Sequence, residues 1–134
     1  MRYFEFDNSL ITGIKSIDEQ HKYLFSIFDD LMNALSIGSA KNIIYDLLMK
    51  LKDYALYHFN DEENLMISIN YPDIDFHMEE HNNFKKIVEQ YINEYKDTNY
   101  SITADTTDFL YSWIRHHILI SDKKIVEYLS NKKI

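Results

Sequence analysis

The chain is dominated by four amphipathic blocks, each with an apolar seam that steps alternately by four and three residues. That period belongs to helices packed knobs-into-holes in a bundle. The seam of the first block is Ile17, His21, Leu24, Phe28, Leu31 and Leu35. The second reads Ile44, Leu48, Leu51, Ala55, His58, Glu62, Leu65 and Ile69, and the third Ile74, His77, His81, Phe84, Val88, Tyr91 and Tyr95. The fourth reads Thr106, Leu110, Trp113, His117 and Ile120. Two Gly and one Pro in 134 residues leave long helices uninterrupted and exclude a turn-rich β chain.

Local punctuation sets the expected boundaries. The first helix spans about 17–37 and stops at Gly38, a C-cap residue. Ser39 is the expected N-cap of a second helix over about 40–69. Asn70-Tyr71-Pro72-Asp73 interrupts the pattern, with Pro72 just ahead of a third helix over about 74–96. The polar stretch 97–101 closes it, and the fourth helix starts near Thr103, runs to about 118 and continues to about 129. Residues 1–16 read as an arm whose aromatics Tyr3, Phe4 and Phe6 lie against the bundle. The expectation is one all-α domain over 1–134, an up-down-up-down antiparallel four-helix bundle with a short C-terminal helical segment.

Composition removes several functions. With no Cys there are no disulfides, thiolate-held clusters or thiol nucleophiles. A formal charge of -8 argues against a nucleic-acid module, which needs a basic face. No apolar run approaches the ~20 residues of a membrane span. The opening MRYFEFDNSL is no evident signal peptide, so a cytoplasmic monomer without a membrane partner is expected.

The anomaly lies within the seams. Five of the six histidines (His21, His58, His77, His81, His117) and Glu62 occupy core positions. A buried carboxylate costs several kcal/mol unless paired or metal-bound. At a rise of ~1.5 Å per residue, His58 and Glu62 stand roughly 20 and 14 Å from the loop near residue 71, and His77 and His81 roughly 9 and 15 Å. His81 and His117 are each about 27 Å from the loop near residue 99. His21 and His58 are about 26 and 30 Å from the loop near residue 38. Antiparallel packing therefore gathers these side chains into one layer. A metal-free bundle is a poor account of that layer, because uncompensated polar groups destabilise a core.

The pairs His58/Glu62 and His77/His81 are i,i+4 neighbours, about 40° apart on a helix face, so each pair aims at one point. Five imidazoles and a carboxylate exceed the needs of one tetrahedral zinc. Imidazole with carboxylate suits iron, and the ligand count suits two ions sharing a carboxylate. Asp122 is the candidate for a second shared carboxylate. On a continuous α-helix it would lie roughly 140° around from His117, so it reaches the layer only if the helix kinks or restarts, with Ser121 able to cap the restart.

These residues resemble the hemerythrin family, specifically its single-domain bacterial members. The resemblance rests on Gly13-Ile14 with Ile17-Asp18-Glu19-Gln20-His21-Lys22-Tyr23-Leu24-Phe25, and on His58-Phe59-Asn60-Asp61-Glu62-Glu63. It continues through Tyr71-Pro72 to His77-Met78-Glu79-Glu80-His81, and through Trp113-Ile114-Arg115-His116-His117-Ile118 to Asp122. Phe4 or Phe6 stands where the family arm often carries Trp, and the stretch from Asn8 to Gly13 is looser than the family's.

The resemblance implies a non-haem di-iron cofactor with an oxo or hydroxo bridge. One iron is held by His77, His81 and His117, the other by His21 and His58, and Glu62 and Asp122 bridge them. It implies reversible O2 binding at an open position on the two-His iron, as an oxygen carrier, store or scavenger rather than an enzyme. Leu24, Phe59, Trp113, Ile118 and Leu119 match the positions that line the family's O2 pocket. Most of them also serve as ordinary core, whereas Leu119, off the main seam, is better explained by the pocket. His116 is expected at the surface. The alternatives are a di-iron oxidoreductase acting on peroxide or nitric oxide, and an iron- or oxygen-responsive interaction module.

Overall fold

The computed structural model describes Phe4, residues 6–96 and residues 104–132. The chain forms α1 (Lys15–Ser36), α2 (Lys41–Ser68), α3 (Ile74–Lys96), α4 (Ala104–His117) and α5 (Lys123–Lys132). A π-helical turn, Ile118–Asp122, joins α4 to α5 without a break. The first four helices make an up-down-up-down bundle in which α1 packs on α2 and α4, and α2 on α3. Tyr3, the closing stretch 97–101 and the start at Thr103 lie outside the described residues.

Helix α1 begins earlier than its seam suggests because Asp18 organises the chain ahead of it. Its buried carboxylate accepts hydrogen bonds from the Thr12 backbone N–H (2.8 Å), the Thr12 hydroxyl (2.7 Å) and the Gly13 N–H (3.1 Å). Gly13 makes this turn at φ 90°, a conformation that suits a residue without Cβ.

The two helix stops share one design. Gly38 (φ 69°) follows α1, with its N–H on Leu35 O at 3.2 Å and the Ser39 N–H on Ala34 O at 2.9 Å. Asn70 (φ 54°) follows α2, with its N–H on Ile67 O at 3.2 Å and the Tyr71 N–H on Met66 O at 3.0 Å. Both are Schellman closures, in which a left-handed residue turns the chain back onto the orphan carbonyls. Ser39 therefore does not cap α2. Its backbone completes the end of α1, and Ala40 takes the N-cap position with no side-chain hydrogen bond.

The core is filled by Leu24, Phe28, Leu31, Leu48, Leu51, Phe59, Phe84, Val88 and Leu110. Burying each such side chain contributes roughly 1.5–3 kcal/mol. Towards helix ends the buried position falls one residue later than a strict four-three seam predicts. Met66 is buried where Leu65 is half-buried, and Ile92 where Tyr91 is half-buried. Ile114 replaces Trp113 in the same sense, while at the start of α4 Thr107 rather than Thr106 is buried. A straight helix drifts ~20° per heptad from a 3.5-residue repeat, which moves the inward position later along the chain. Leu35, Ile69 and Ile74 are likewise half-buried, and Ile120 is 46% exposed.

The arm lies on α1 and α4. Phe4 stacks on Tyr111 at 4.1 Å between ring centroids and meets Phe28 edge-on at 6.1 Å, while Phe6 meets Phe25 at 5.6 Å. Leu10 is fully buried. Among the described residues no helix is long and apolar enough to cross a membrane.

Candidate metal centre

Each bundle helix delivers polar side chains to one buried layer. His21 comes from α1, His58 and Glu62 from α2, His77 and His81 from α3, and His117 from the last position of α4. Asp122 comes from the end of the π turn. All seven are at most 2% exposed.

The π turn is what brings Asp122 in. It replaces the kink or capped restart expected there, because an i→i+5 turn aligns residues five apart without interrupting the helix. Ser121 does not cap anything; its hydroxyl donates to Glu80 Oε1 at 2.5 Å. The same turn rotates Ser121 inward and Ile120 outward, which explains the exposure of Ile120.

The seven side chains divide into two halves that share both carboxylates. Glu62 Oε1 lies 2.5, 3.1 and 3.6 Å from Nε2 of His77, His81 and His117, whereas Glu62 Oε2 lies 3.4 Å from His58 Nε2. Asp122 Oδ1 lies 3.2 and 3.1 Å from Nε2 of His77 and His117, whereas Asp122 Oδ2 lies 3.1 Å from His21 Nε2. Each carboxylate thus turns one oxygen to a three-imidazole half and the other to a two-imidazole half. Both halves bring their ligand atoms within 4.8 Å of one another, a spacing that could hold a metal ion.

Hydrogen bonding alone does not satisfy this cluster. Glu62 Oε2, both Asp122 oxygens, and Nδ1 of His21 and His117 are buried without a directed hydrogen bond. Leaving such a group unpaired costs about 1–3 kcal/mol. The Nε2 atoms of His21 and His58 face each other at 3.1 Å, and those of His81 and His117 at 3.0 Å. Two nitrogens each about 2.1 Å from one ion, at right angles, stand about 3 Å apart. The donor set therefore fits metal ions held between the rings, and with neither thiolate nor thioether among the donors it suits iron.

Outer hydrogen bonds aim the imidazoles. His58 Nδ1 meets Gln20 Oε1 at 2.7 Å, and Gln20 Nε2 donates to Asp61 Oδ2 at 2.8 Å. His81 Nδ1 meets Glu63 Oε2 at 2.8 Å, whereas Glu80 Oε1, 3.5 Å from His117 Nδ1, is a charged neighbour without a directed hydrogen bond. Such partners fix the ring orientation and raise imidazole basicity. Gln20, Asp61, Glu63 and Glu80 lie off the seams, although each sits next to a seam ligand position in sequence.

The electrostatics of the protein alone are those of a site built for cations. Burial pushes the Glu62 carboxyl up, but His117, His58, His77 and His81 outweigh it and hold it well below the usual range. Burial and the neighbouring Glu62 push Asp122 up, and His117 and His21 bring it below its ordinary value. Burial lowers His77, yet Asp122 and Glu62 raise it to about 9. His117 is likewise depressed by burial and raised well above its ordinary value by Asp122, Glu62 and Glu80.

Apolar rings close the layer on one side. Phe59 stacks on His81 at 3.9 Å and 12°, and Trp113 on His117 at 5.1 Å and 13°. Leu24, three residues after His21, and Ile118, next to His117, are buried. Trp113 is only half-buried, and half-buried Leu119 packs against the main core rather than standing apart from it. His116 is exposed.

A helical bundle enclosing imidazoles and shared carboxylates defines a class of bundle-held, thiolate-free metal proteins. Residues 12–129 match the family model described as the hemerythrin HHE cation binding domain. The chain belongs to the hemerythrin family. It is 33% identical to the bacteriohemerythrin of Clostridium acetobutylicum over 86% of this chain and 92% of that one. It is 26% identical to the myohemerythrin of Theromyzon tessulatum, over 90% and 89% of the two chains. A crystal structure of wild-type hemerythrin superposes with a TM-score of 0.85 at 26% identity, covering 90% of this chain and 93% of that chain.

Proposed function

We propose that this protein binds O2 reversibly at two iron ions, as a carrier, store or scavenger. His77, His81 and His117 hold one ion and His21 and His58 the other, with Glu62 and Asp122 spanning both and an oxo or hydroxo bridge completing the cofactor. The observation that carries this reading is the division of each carboxylate, one oxygen to each half of the cluster. The names of the relatives, bacteriohemerythrin and myohemerythrin, support it.

The two ferrous ions supply the electrons that O2 takes up on binding. The chain's own part is to hold and to exclude. The two-imidazole half offers fewer protein ligands, four against five, so an exogenous molecule would complete the coordination of an ion there. Leu24, Phe59, Trp113, Ile118 and Leu119 line the approach and keep out water and protons, which promote irreversible oxidation. Glu63 faces His81 Nδ1, and Glu80 faces His117 Nδ1, so both are committed to orienting ligands rather than to serving a substrate.

The test is spectroscopic. Iron-loaded protein, reduced without oxygen, should be nearly colourless, gain a visible band on exposure to O2, and lose it when the gas is stripped. A band that forms and never reverses favours an oxidoreductase acting on peroxide or nitric oxide.

A further inference from the structure

The two halves of the centre differ in the charge that backs their imidazoles. In the three-imidazole half, the Glu63 carboxylate bonds His81 Nδ1 at 2.8 Å, and a second carboxylate, Glu80, stands 3.5 Å from His117 Nδ1. In the two-imidazole half, the partner of His58 Nδ1 is the neutral amide oxygen of Gln20 at 2.7 Å. The carboxylate of Asp61 stands one hydrogen bond further out, on Gln20 Nε2. His21 Nδ1 has no hydrogen-bond partner, and neither has His117 Nδ1, whose contact with Glu80 is electrostatic.

A carboxylate behind an imidazole makes the ring a stronger donor to a cation, whereas an amide only orients it. The three-imidazole half also has one more protein ligand within reach, five against four. Two divalent ions sharing Glu62 and Asp122 repel each other, so the second is bound against the charge of the first. The first two effects favour the three-imidazole half, and the repulsion separates the two binding steps.

Resting on the di-iron reading above, we infer that the centre holds its ions unequally. The ion on His77, His81 and His117 is the last to leave, and Glu63 is the positioning residue that sets the difference through His81. Gln20 keeps the other half weaker by placing an amide where its counterpart has a carboxylate.

The test titrates reduced, iron-loaded protein with a chromophoric ferrous chelator under anaerobic conditions and counts the iron retained at equilibrium. The wild type should lose iron in two steps, with a plateau at one iron per chain. Glu63→Gln should shift the second step to about 10- to 100-fold lower chelator and leave the first in place. Gln20→Glu, which adds charge to the weaker half, should move the first step toward the second. His58→Ala should hold one iron, released where the wild-type second step falls. Far-UV circular dichroism verifies that each variant is folded, and Gln20→Glu decides the matter if Glu63→Gln is not. Two irons leaving together, or Glu63→Gln moving the first step, overturns the inference alone. A wild-type chain that never carries more than one iron overturns the di-iron reading and the inference with it.

Discussion

His117 and Asp122 are five residues apart in the chain, and His117 Nε2 lies 3.1 Å from Asp122 Oδ1. An α-helix would set these side chains roughly 140° apart. The π turn at Ile118–Asp122 reconciles the two facts, and α5 begins at the next residue, Lys123. A local irregularity of one residue is thus what completes the centre.

If spacing is all that the π turn supplies, deleting Ile120 should be tolerated. His117 and Asp122 would then be four residues apart, about 40° on an ordinary α-helix. The deletion variant should keep the iron content of the parent chain by metal analysis. Loss of iron would mean that the turn does more than align two ligands.

Glu62 is approached by four imidazoles at 1% exposure. Glu62→Ala removes the counter-charge from all of them. Breaking a buried charged pair in this way typically costs about 3–5 kcal/mol. The variant should retain at most half the parental iron, and its metal-free form should unfold at clearly lower denaturant. Full iron retention would contradict a shared role for this carboxylate.

Leu119 is half-buried and follows the apolar wall formed by Ile118 and Trp113. Leu119→Ala should admit water and accelerate oxidation of the O2-bound form several-fold. Because the residue is only partly buried, the stability cost should fall below the ~2–5 kcal/mol of a fully buried leucine. An unchanged oxidation rate would remove Leu119 from the barrier.

The stability of the metal-free protein and the stabilisation that iron adds should respond to pH in opposite directions. His77, raised to about 9, and His117, raised well above its ordinary value, bind protons more tightly in the metal-free fold than in the unfolded chain. Their contribution is full below about pH 6.5, the ordinary histidine value, and is lost as pH climbs through 9. Glu62 and Asp122 are lowered, so theirs is present above the ordinary carboxylate range and lost only in strong acid. Iron needs neutral imidazoles, so its stabilising effect grows over the interval in which the metal-free fold weakens. Thermal unfolding from pH 6 to about pH 9.5 should show a falling Tm without iron and a widening gap between loaded and metal-free protein. A gap that narrows would contradict this linkage.

Six of the seven cluster residues are legible from helical period alone, since a polar residue at an inward position announces itself against apolar neighbours. Asp122 is not, because no regular helix carries it there; it emerges as the candidate second shared carboxylate and from family resemblance. Ser39 looks like a cap by its chemistry, but the backbone closure at Gly38 uses it first. Gln20, Glu63 and Glu80 lie beside the seams, where acids and amides are ordinarily solvent-facing, so their sequence positions carry little warning of an inner role.

The chain by itself determined the helices, their ends at Gly38 and Asn70, and the depth at which the histidines gather. These follow from local backbone preference and a fixed rise per residue. Only the tertiary structure decided which oxygen of each carboxylate faces which imidazoles, and which acid stands behind each ring. Those depend on the rotation and approach of helices far apart in sequence, which packing sets and no single helix contains.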